Sequence, residues 1–201
     1  MNYLAIDTSG DNLTIIAKKG DKTEIVFEPD CGVRHSVSLM PKTEETLEKI
    51  GAKLSDFDFF ACVVGAGSFT GIRIGISTVK GLCFAANKPC LPVTSFDTIA
   101  YNRQGKVMAI IDALHGAYYV CGYENGKIVF PPEFIGKDEL LSLKEEYTFL
   151  SGKKIDGVET EVVSIVDGFI KAIENKKNEI TFDAEKLVPL YIRKSQAEEG
   201  R

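Results

Sequence analysis

The sequence has a small excess of acidic residues and no long apolar run. It contains 24 Lys and Arg against 29 Asp and Glu, which gives a net charge of −5. This balance argues against an autonomous nucleic-acid-binding protein, because neutralising phosphates needs a basic surface. The longest apolar runs are too short to cross a bilayer. Since Met1-Asn2-Tyr3 leads straight into a strand-like run, we expect no signal peptide and no membrane contact.

Cysteine is present, but no two cysteines have the CxxC spacing of a zinc site or a redox motif. The five cysteines lie at positions 31, 62, 83, 90 and 121. An odd number of scattered cysteines in apolar surroundings is not typical of a disulfide framework. We therefore expect buried, reduced thiols and, from their reduced state, a cytoplasmic protein.

Histidine is scarce, which limits the kinds of active site that the chain can build. Only His35 and His115 occur, and there is no HExxH motif. No serine or cysteine stands in a motif that also supplies a base. The sequence therefore predicts no peptidase activity. We interpret His35 as a histidine at a helix N-terminus that bonds to backbone or to a partner.

The most distinctive segment is rich in glycine and follows an apolar run. Phe59–Val64 is strand-like, and Gly65–Gly75 contains four glycines. A strand, a glycine-rich turn and a helix aim free backbone N–H groups at an anion. Ser68 and Thr70 add hydroxyl donors, and Arg73 could bind a phosphate, bind a partner carboxylate or form a local salt bridge.

This glycine-rich loop matches neither of two familiar phosphate-binding patterns. No lysine lies within it, as a P-loop requires. Its first three glycines are spaced GxGxxxG, whereas the dinucleotide pattern is GxGxxG. Two interpretations stay open, namely phosphate binding and a turn that only joins a strand to a helix. The same choice applies to Asp7, whose carboxylate either faces phosphates or closes a local turn.

Hydrophobic patterning divides the chain into two halves of the same plan. For the first half we predict strands at 2–6, 13–17, 23–27, 59–64 and 91–93, with helices at 36–50, after the glycines to about 87, and at 95–103. For the second half we predict strands at 107–112, 117–123, 127–130 and 148–150, with helices at 138–146 and 162–174. The first helix carries Val37, Met40, Leu47 and Ile50 on one face, and Pro41 either sits in its first turn or kinks it. Each half reads βββαβα, so we predict two lobes, 1–103 and 104–201.

Three strands, a helix, a strand and a helix form the unit of the actin-like (ASKHA, ribonuclease-H-like) fold. Within that class the sequence resembles the TsaB (YeaZ) family, which takes part in forming N6-threonylcarbamoyladenosine at position 37 of tRNA. The resembling segments are Asp7-Thr8-Ser9, Arg34-His35-Ser36, Gly65–Gly75, Asp112-Ala113 and Tyr191–Ala197. The resemblance runs from Met1 to about Ala197 and implies a two-lobed α/β fold with a mixed sheet in each lobe.

The resemblance implies a non-catalytic member of this wider family. The catalytic relatives, the TsaD proteins, bind a metal through two histidines spaced HxxxH, which share one helix face. Here the corresponding turn begins at His35 and ends at Leu39, which cannot ligate a metal. The resemblance therefore implies no catalytic residue, no metal site and no required cofactor. A further departure is Leu114, which stands where the family usually has arginine.

The resemblance also implies partners. The helices after residues 34 and 70 would bind TsaD, with TsaE as a further partner, and the same surface could pair two copies of this chain. Transfer RNA would be contacted only through the complex. The candidate interface residues are His35, Leu39, Met40, Thr43, Val79, Cys83 and Phe84.

The alternative function is an actin-like ATPase or phosphotransferase that binds nucleotide weakly in the interlobe cleft. It would use the phosphate-loop-like residues and Asp112. The phosphate-loop-like residues are Asp7, Thr8, Ser9, Gly65, Gly67, Ser68, Thr70, Gly71 and Arg73.

Overall fold

The computed structural model describes residues 1–193, which fall into two units. Unit 1 comprises residues 1–93 and 175–189, and unit 2 comprises residues 94–174 and 190–193. The boundary therefore lies at 93, whereas we predicted 103. Residues 175–189 return to unit 1 because Leu187 enters its apolar core. The end of the Tyr191–Ala197 segment, from residue 194, lies outside the described residues.

Unit 1 is built on a five-stranded sheet with the order β3-β2-β1-β4-β5. Its strands are β1 (Tyr3–Asp7), β2 (Leu13–Lys19), β3 (Lys22–Glu28), β4 (Phe59–Val63) and β5 (Cys90–Val93). Strand β1 pairs antiparallel with β2 and parallel with β4. Every residue of β1 and β4 is buried. Their continuous apolar runs are typical of such strands, and the predicted positions of all five strands are confirmed.

Two helices, α1 (His35–Ile50) and α2 (Phe69–Ala86), pack against this sheet. Val37 and Met40 lie on the outer side of α1, since their side chains are 66% and 44% exposed. Thr43 and Thr46 are buried instead. Their hydroxyls donate to the carbonyl oxygens four residues earlier, at 2.8 and 2.6 Å. This bonding removes the penalty of burying a hydroxyl, so polar residues occupy the inner face.

Pro41 lies inside α1, beyond the first turn. Short 3-10 helices complete the described chain at Gly32–Arg34, Leu54–Asp56, Lys177–Glu179 and Ala184–Lys186.

Unit 2 contains a second five-stranded sheet, with the order β10-β9-β6-β7-β8. Its strands are β6 (Lys106–Asp112), β7 (Ala117–Glu124), β8 (Lys127–Gly136), β9 (Thr148–Ser151) and β10 (Glu161–Val162), and the remaining helices are α3 (Ser95–Ala100), α4 (Lys137–Ser142) and α5 (Ile165–Lys176). The predicted βββαβα order is therefore confirmed, with one additional strand. The predicted helix at 162–174 starts later because β10 pairs in parallel with β9.

The short helix α3 belongs to unit 2 because it packs on β6, β7 and β9. Its N-cap is Thr94. The Thr94 hydroxyl accepts from the Asp97 N–H at 3.1 Å, and an Asp97 carboxylate oxygen accepts from the Thr94 N–H at 2.8 Å. The other Asp97 oxygen accepts from the Tyr123 hydroxyl at 2.8 Å, so the buried carboxylate has donors on both oxygens.

All five cysteines are buried and free, as predicted. Among residues 1–193, no helix is both long and apolar enough to cross a lipid bilayer.

Helix α5 approaches α3 closely at Gly168, where a side chain does not fit. A Cβ at this position would overlap the carbonyl oxygen of Thr98, a residue of α3. We therefore expect Gly168→Ala to lower the free energy of unfolding by about 1–3 kcal/mol, measured by urea titration. Gly81→Ala in α2 is the matched control, because no atom lies within 4 Å of its Cβ position. That variant should gain about 1 kcal/mol, and equal effects of the two substitutions would contradict this account.

Candidate functional site

The candidate site begins with a buried turn at the end of the central strand β1. An Asp7 carboxylate oxygen accepts from the Ser9 N–H at 2.8 Å and from the Ser9 hydroxyl at 2.7 Å. Asp7, Thr8 and Ser9 are all buried. This bonding from residue i to i+2 is the local turn that aspartate forms readily.

The start of α2 lies directly on this turn. The Thr8 hydroxyl donates to the Gly71 carbonyl oxygen at 2.7 Å, and the Ser68 N–H donates to the Ser9 carbonyl oxygen at 2.7 Å. A Cβ on Gly67 would overlap the Ser9 carbonyl oxygen, and one on Gly71 would overlap that of Thr8. The glycines are therefore needed for close packing of backbone on backbone.

A third glycine, Gly75, extends the same contact one turn further along α2. A Cβ there would lie 2.6 Å from the Thr8 hydroxyl oxygen. Positions 71 and 75 are four residues apart in α2, and residues at this spacing share one side of a helix. The spacing of the glycines thus follows from packing against Thr8 and Ser9.

Two N–H groups of the glycine-rich loop are bonded within unit 1. Ser68 is the N-cap of α2, and its hydroxyl accepts from the Gly71 N–H at 3.3 Å, while its own N–H bonds Ser9. Gly65 is buried, whereas Ser68, Thr70 and Arg73 are exposed. The Arg73 guanidinium lies 5.9 Å from the centre of the Phe69 ring. Phosphate binding at this loop stays a prediction.

His35 opens α1 and is buried. Its Nε2 lies 2.9 Å from the Gly10 carbonyl oxygen, so this nitrogen carries a proton and donates there, and its Nδ1 has no hydrogen-bond partner. This is the backbone-bonded histidine that we expected at a helix N-terminus. Leu39, one turn later, is buried in the apolar core. Within residues 1–193, no group of three His, Cys, Asp or Glu side chains is arranged to hold a metal ion.

Thr14 is a member of the site that sequence reasoning missed. It pairs with Asp7 across β1 and β2, is buried, and its hydroxyl has no hydrogen-bond partner. Thr14 could have been found from the pairing register of the β1–β2 hairpin, because directly paired residues of antiparallel strands face the same side of a sheet.

Most of the predicted interface residues are wrong, because they lie inside unit 1. His35, Leu39, Thr43, Val79 and Cys83 are at most 6% exposed. Of the seven candidates, only Met40 and Phe84 are exposed, at 44% and 92%. Helical periodicity identifies residues that share a face, but it does not tell which of two apolar faces is covered.

The second unit repeats the aspartate turn in a more open form. An Asp112 carboxylate oxygen accepts from the Leu114 N–H at 2.8 Å, at the end of β6. Asp112 is only half-buried, and Leu114 is 63% exposed. Leu114, His115 and Gly116 all have left-handed backbone conformations. In both units, therefore, an aspartate at the end of the first strand accepts from the N–H two residues later, but Asp7 is buried and Asp112 is only half-buried.

The surroundings of the site change the pKa of the Asp7 carboxyl. Burial raises the pKa of its carboxyl above the ordinary value, while the two bonds from Ser9 and the nearby His35 oppose the shift. Ionising this carboxyl therefore destabilises the folded chain relative to the unfolded chain.

This raised pKa predicts a specific pH dependence of stability. The folded chain holds the Asp7 proton more tightly than the unfolded chain, so stability decreases as pH rises from the unfolded pKa through the folded pKa. Asp7→Asn keeps an oxygen for Ser9 and removes this decrease. We expect the variant to be more stable than the wild type near neutral pH, and the two to converge below about pH 4.

The measurement is urea unfolding at a series of pH values. Asp21→Asn, at an exposed turn position, is the control and should follow the wild type throughout. An Asp7→Asn variant that is less stable than the wild type near neutral pH would contradict the burial argument.

Comparison with known proteins finds relatives whose names refer to tRNA modification. A family model described as TsaD, tRNA N6-adenosine threonylcarbamoyltransferase, matches residues 29–164. The tRNA threonylcarbamoyladenosine biosynthesis protein TsaB of Escherichia coli K12 is 34% identical over an alignment of 134 positions, which covers 63% of this chain and 58% of that protein. TsaB of Bacillus subtilis 168 is 29% identical over an alignment of 221 positions, which covers 98% of this chain and 96% of that protein. The match thus spans less than two thirds of the E. coli protein and nearly all of the B. subtilis protein.

Solved structures show the same fold. A Pseudomonas aeruginosa protein described as similar to the peptidase YeaZ has a TM-score of 0.77 at 22% identity, over 96% of this chain and 99% of that one. YeaZ from the same organism has a TM-score of 0.74, also at 22% identity, over 94% of this chain and 99% of that one. Because this family model covers more than half of the chain, the chain belongs to the TsaD family, and it is similar to the proteins named TsaB and YeaZ.

Proposed function

We propose that this protein takes part in forming threonylcarbamoyladenosine in tRNA, as a non-catalytic subunit that binds a TsaD-type catalytic subunit. The observation that carries the proposal is the similarity to the B. subtilis biosynthesis protein, which extends over 98% of this chain and 96% of that protein. A match over nearly the whole length of both chains favours a shared role for the whole molecule.

The residues at positions 35 and 39 of α1 support a non-catalytic role. A metal held by two histidines needs them at i and i+4 on one helix face. His35 is committed to the Gly10 carbonyl oxygen, and Leu39 occupies the second position inside the core. The transfer chemistry is therefore assigned to the partner, and this chain contributes binding.

The exposed face of α1 and α2 supplies the partner surface. We define the partner surface by Val37 and Met40 on α1 and by Ser77, Gly81 and Phe84 on α2, all of which are exposed. Phe84 is 92% exposed and Val37 is 66% exposed. Large apolar side chains exposed to this degree are typical of a surface that a partner covers.

Gly81 is the clearest indication that a second protein approaches this surface. Glycine inside an exposed helix destabilises it by about 1 kcal/mol relative to alanine, and a Cβ at Gly81 would meet no atom within 4 Å. Packing within unit 1 therefore does not require glycine there. A partner helix crossing α2 at this point does, because the distance between packed helices depends on the side chains at their contact.

The chain's own loop geometry supports a role without a required cofactor. The Ser68 and Gly71 N–H groups are bonded within unit 1, and packing explains the glycines at 67 and 71. Steady ATP turnover by the isolated chain would overturn this part of the proposal and favour the ATPase alternative.

The first test is reconstitution with the TsaD of the same organism. We expect the two chains to co-purify, light scattering to show a mixed complex, and tRNA modification to require both. TsaE is then added as the third component, and tRNA should bind to the complex and not to this chain alone. Modification of tRNA by the isolated chain would contradict the non-catalytic role. Failure to form any complex with TsaD would contradict the binding role.

Two substitutions test the partner surface itself. Phe84→Ala removes an exposed aromatic anchor, and Gly81→Gln places a side chain where a partner helix must approach. We expect each to weaken TsaD binding by about 30-fold or more, the effect of losing about 2 kcal/mol, measured by calorimetry. Binding unchanged by both would place the interface elsewhere.

The matched control is Phe27→Ala on β3, an aromatic side chain that is 46% exposed. Its neighbour Val26 packs into the core that α1 and α2 cover, so Phe27 points to the opposite face of the sheet. Phe27→Ala should leave TsaD binding unchanged. The same set of variants, studied by light scattering without TsaD, tests whether two copies of this chain pair through the partner surface.

A further inference from the structure

One edge of the unit 1 sheet is open, whereas the other three sheet edges of the molecule are protected. Strand β10 is only two residues long, and β5 is bridged by Thr181. Strand β8 contains Pro131 and Pro132, and its register with β7 shifts at two points. Such features keep a sheet edge from pairing with another chain. Within residues 1–193 only β3 has none of them, since it pairs regularly with β2 along its whole length and has no strand on its other side.

The free backbone groups of β3 belong to alternate residues. A two-residue turn joins β2 to β3, so that Lys19 pairs with Lys22. A turn of this length closes on a hydrogen-bonded pair, and bonded pairs then alternate along an antiparallel ladder. The even-numbered residues of β3 therefore bond β2, and Thr23, Ile25 and Phe27 direct their N–H and C=O groups to the open edge.

The same three residues carry exposed side chains. Ile25 and Phe27 are 43% and 46% exposed, and Thr23 is also exposed. Their side chains lie on the face opposite to that of Val26, which packs against the core of unit 1. A strand that is added at this edge therefore gains backbone hydrogen bonds and also covers apolar side chains.

The charges of β3 indicate what kind of strand is added. The strand begins with Lys22 and ends with Glu28. When two copies of β3 pair antiparallel about Ile25, Lys22 of each copy lies opposite Glu28 of the other, and Ile25 lies opposite Ile25. Opposite charges at directly paired positions stabilise a sheet, and like charges destabilise it. Strand β3 is therefore complementary to itself.

Other registers of two β3 strands lose this complementarity. Residues that direct their backbone groups outward must pair with one another, so the centre of the pairing falls on a residue. A centre at Glu24 places Glu24 opposite itself, and a centre at Val26 places Glu24 opposite Glu28. Both registers set like charges against each other, and a centre nearer either end leaves only a short overlap. The charges thus favour the centre at Ile25.

We propose that this protein pairs with a second copy of itself through β3, antiparallel and centred on Ile25. The two sheets of unit 1 then continue as one sheet, and the apolar side chains at Ile25 and Phe27 of both copies lie side by side. Because the contact is the same on both copies, it closes as a twofold dimer and does not extend to a fibre. The proposal rests on residues outside the partner surface and does not depend on TsaD binding.

The first experiment is sedimentation equilibrium of the purified full chain over a series of concentrations. We expect an equilibrium between monomer and dimer. Ile25→Lys sets two ammonium groups opposite each other at the centre, so it should raise the dimer dissociation constant by about 10-fold or more. The matched control is Ile128→Lys, an exposed isoleucine on the edge strand β8, which should leave the dimer unchanged.

A charge exchange tests the register. Lys22→Glu alone opposes like charges at both ends of the pairing and should weaken the dimer. Adding Glu28→Lys to the same chain restores opposite charges and should restore the dimer. Circular dichroism checks that each variant is folded.

A cross-link tests the centre of the pairing directly. In a hydrogen-bonded antiparallel pair the Cα atoms lie about 5.5 Å apart, which a disulfide can span. Mild oxidation should therefore join two copies of Ile25→Cys, whereas Thr23→Cys, which lies opposite Phe27, should stay unlinked. The five native cysteines are buried and do not compete.

Three results would each overturn the proposal. The first is a chain that stays monomeric at the highest concentration reached. The second is a dimer that Ile25→Lys does not weaken, which would mean that the copies pair through another surface. The third is a charge exchange that fails to restore what Lys22→Glu removes.

Discussion

The close contact between α2 and the Asp7–Ser9 turn is the constraint on which unit 1 depends. With no Cβ at positions 67 and 71, the backbone of the helix start rests on the carbonyl oxygens of Thr8 and Ser9. Two further hydrogen bonds fasten it there. Since β1 is the middle strand of its sheet, fixing α2 over its end also fixes α2 relative to β2 and β4. A glycine-rich segment that looks like a ligand-binding loop is therefore also the central packing joint of the fold.

Asp7 is buried because α2 packs on the Asp7–Ser9 turn, and not because of the turn itself. Asp112 closes the same turn in unit 2 and remains half-buried. In unit 1, two buried polar atoms near this turn have no hydrogen-bond partner, namely the Thr14 hydroxyl oxygen and a His35 ring nitrogen. Buried polar groups without partners and a carboxyl with a raised pKa oppose stability, and such groups concentrate where a protein binds or reacts. The proposed partner surface consists of other residues, so that surface and this buried cluster are separate features of unit 1.

Much of the fold could be predicted because its central strands are continuous apolar runs, as in Phe59–Val63, and its turns carry glycine and aspartate. The inner face of α1 could not be predicted. Thr43 and Thr46 have the polar side chains of surface residues, but their hydroxyls bond to the helix backbone, so they can be buried. The glycine-rich loop and the Asp7 turn were visible as motifs, but only the structure shows that they touch. The domain boundary was missed because the return of residues 175–189 leaves no local pattern. The return of this segment depends on contacts between residues far apart in the sequence, such as that of Leu187 with the apolar core of unit 1.

This return has a consequence for the order in which the protein can form during synthesis. Strand β5 is the edge of its sheet, and it is bridged by Thr181, which leaves the ribosome about 90 residues after Cys90. Until then the edge of β5 stays open, and an open edge invites pairing with other chains. Residues 94–174 form one continuous stretch and can be complete before the first unit is. The half of the molecule that is translated first is therefore the half that finishes last, and its exposed edge is the point at which a nascent or truncated chain is open to aggregation.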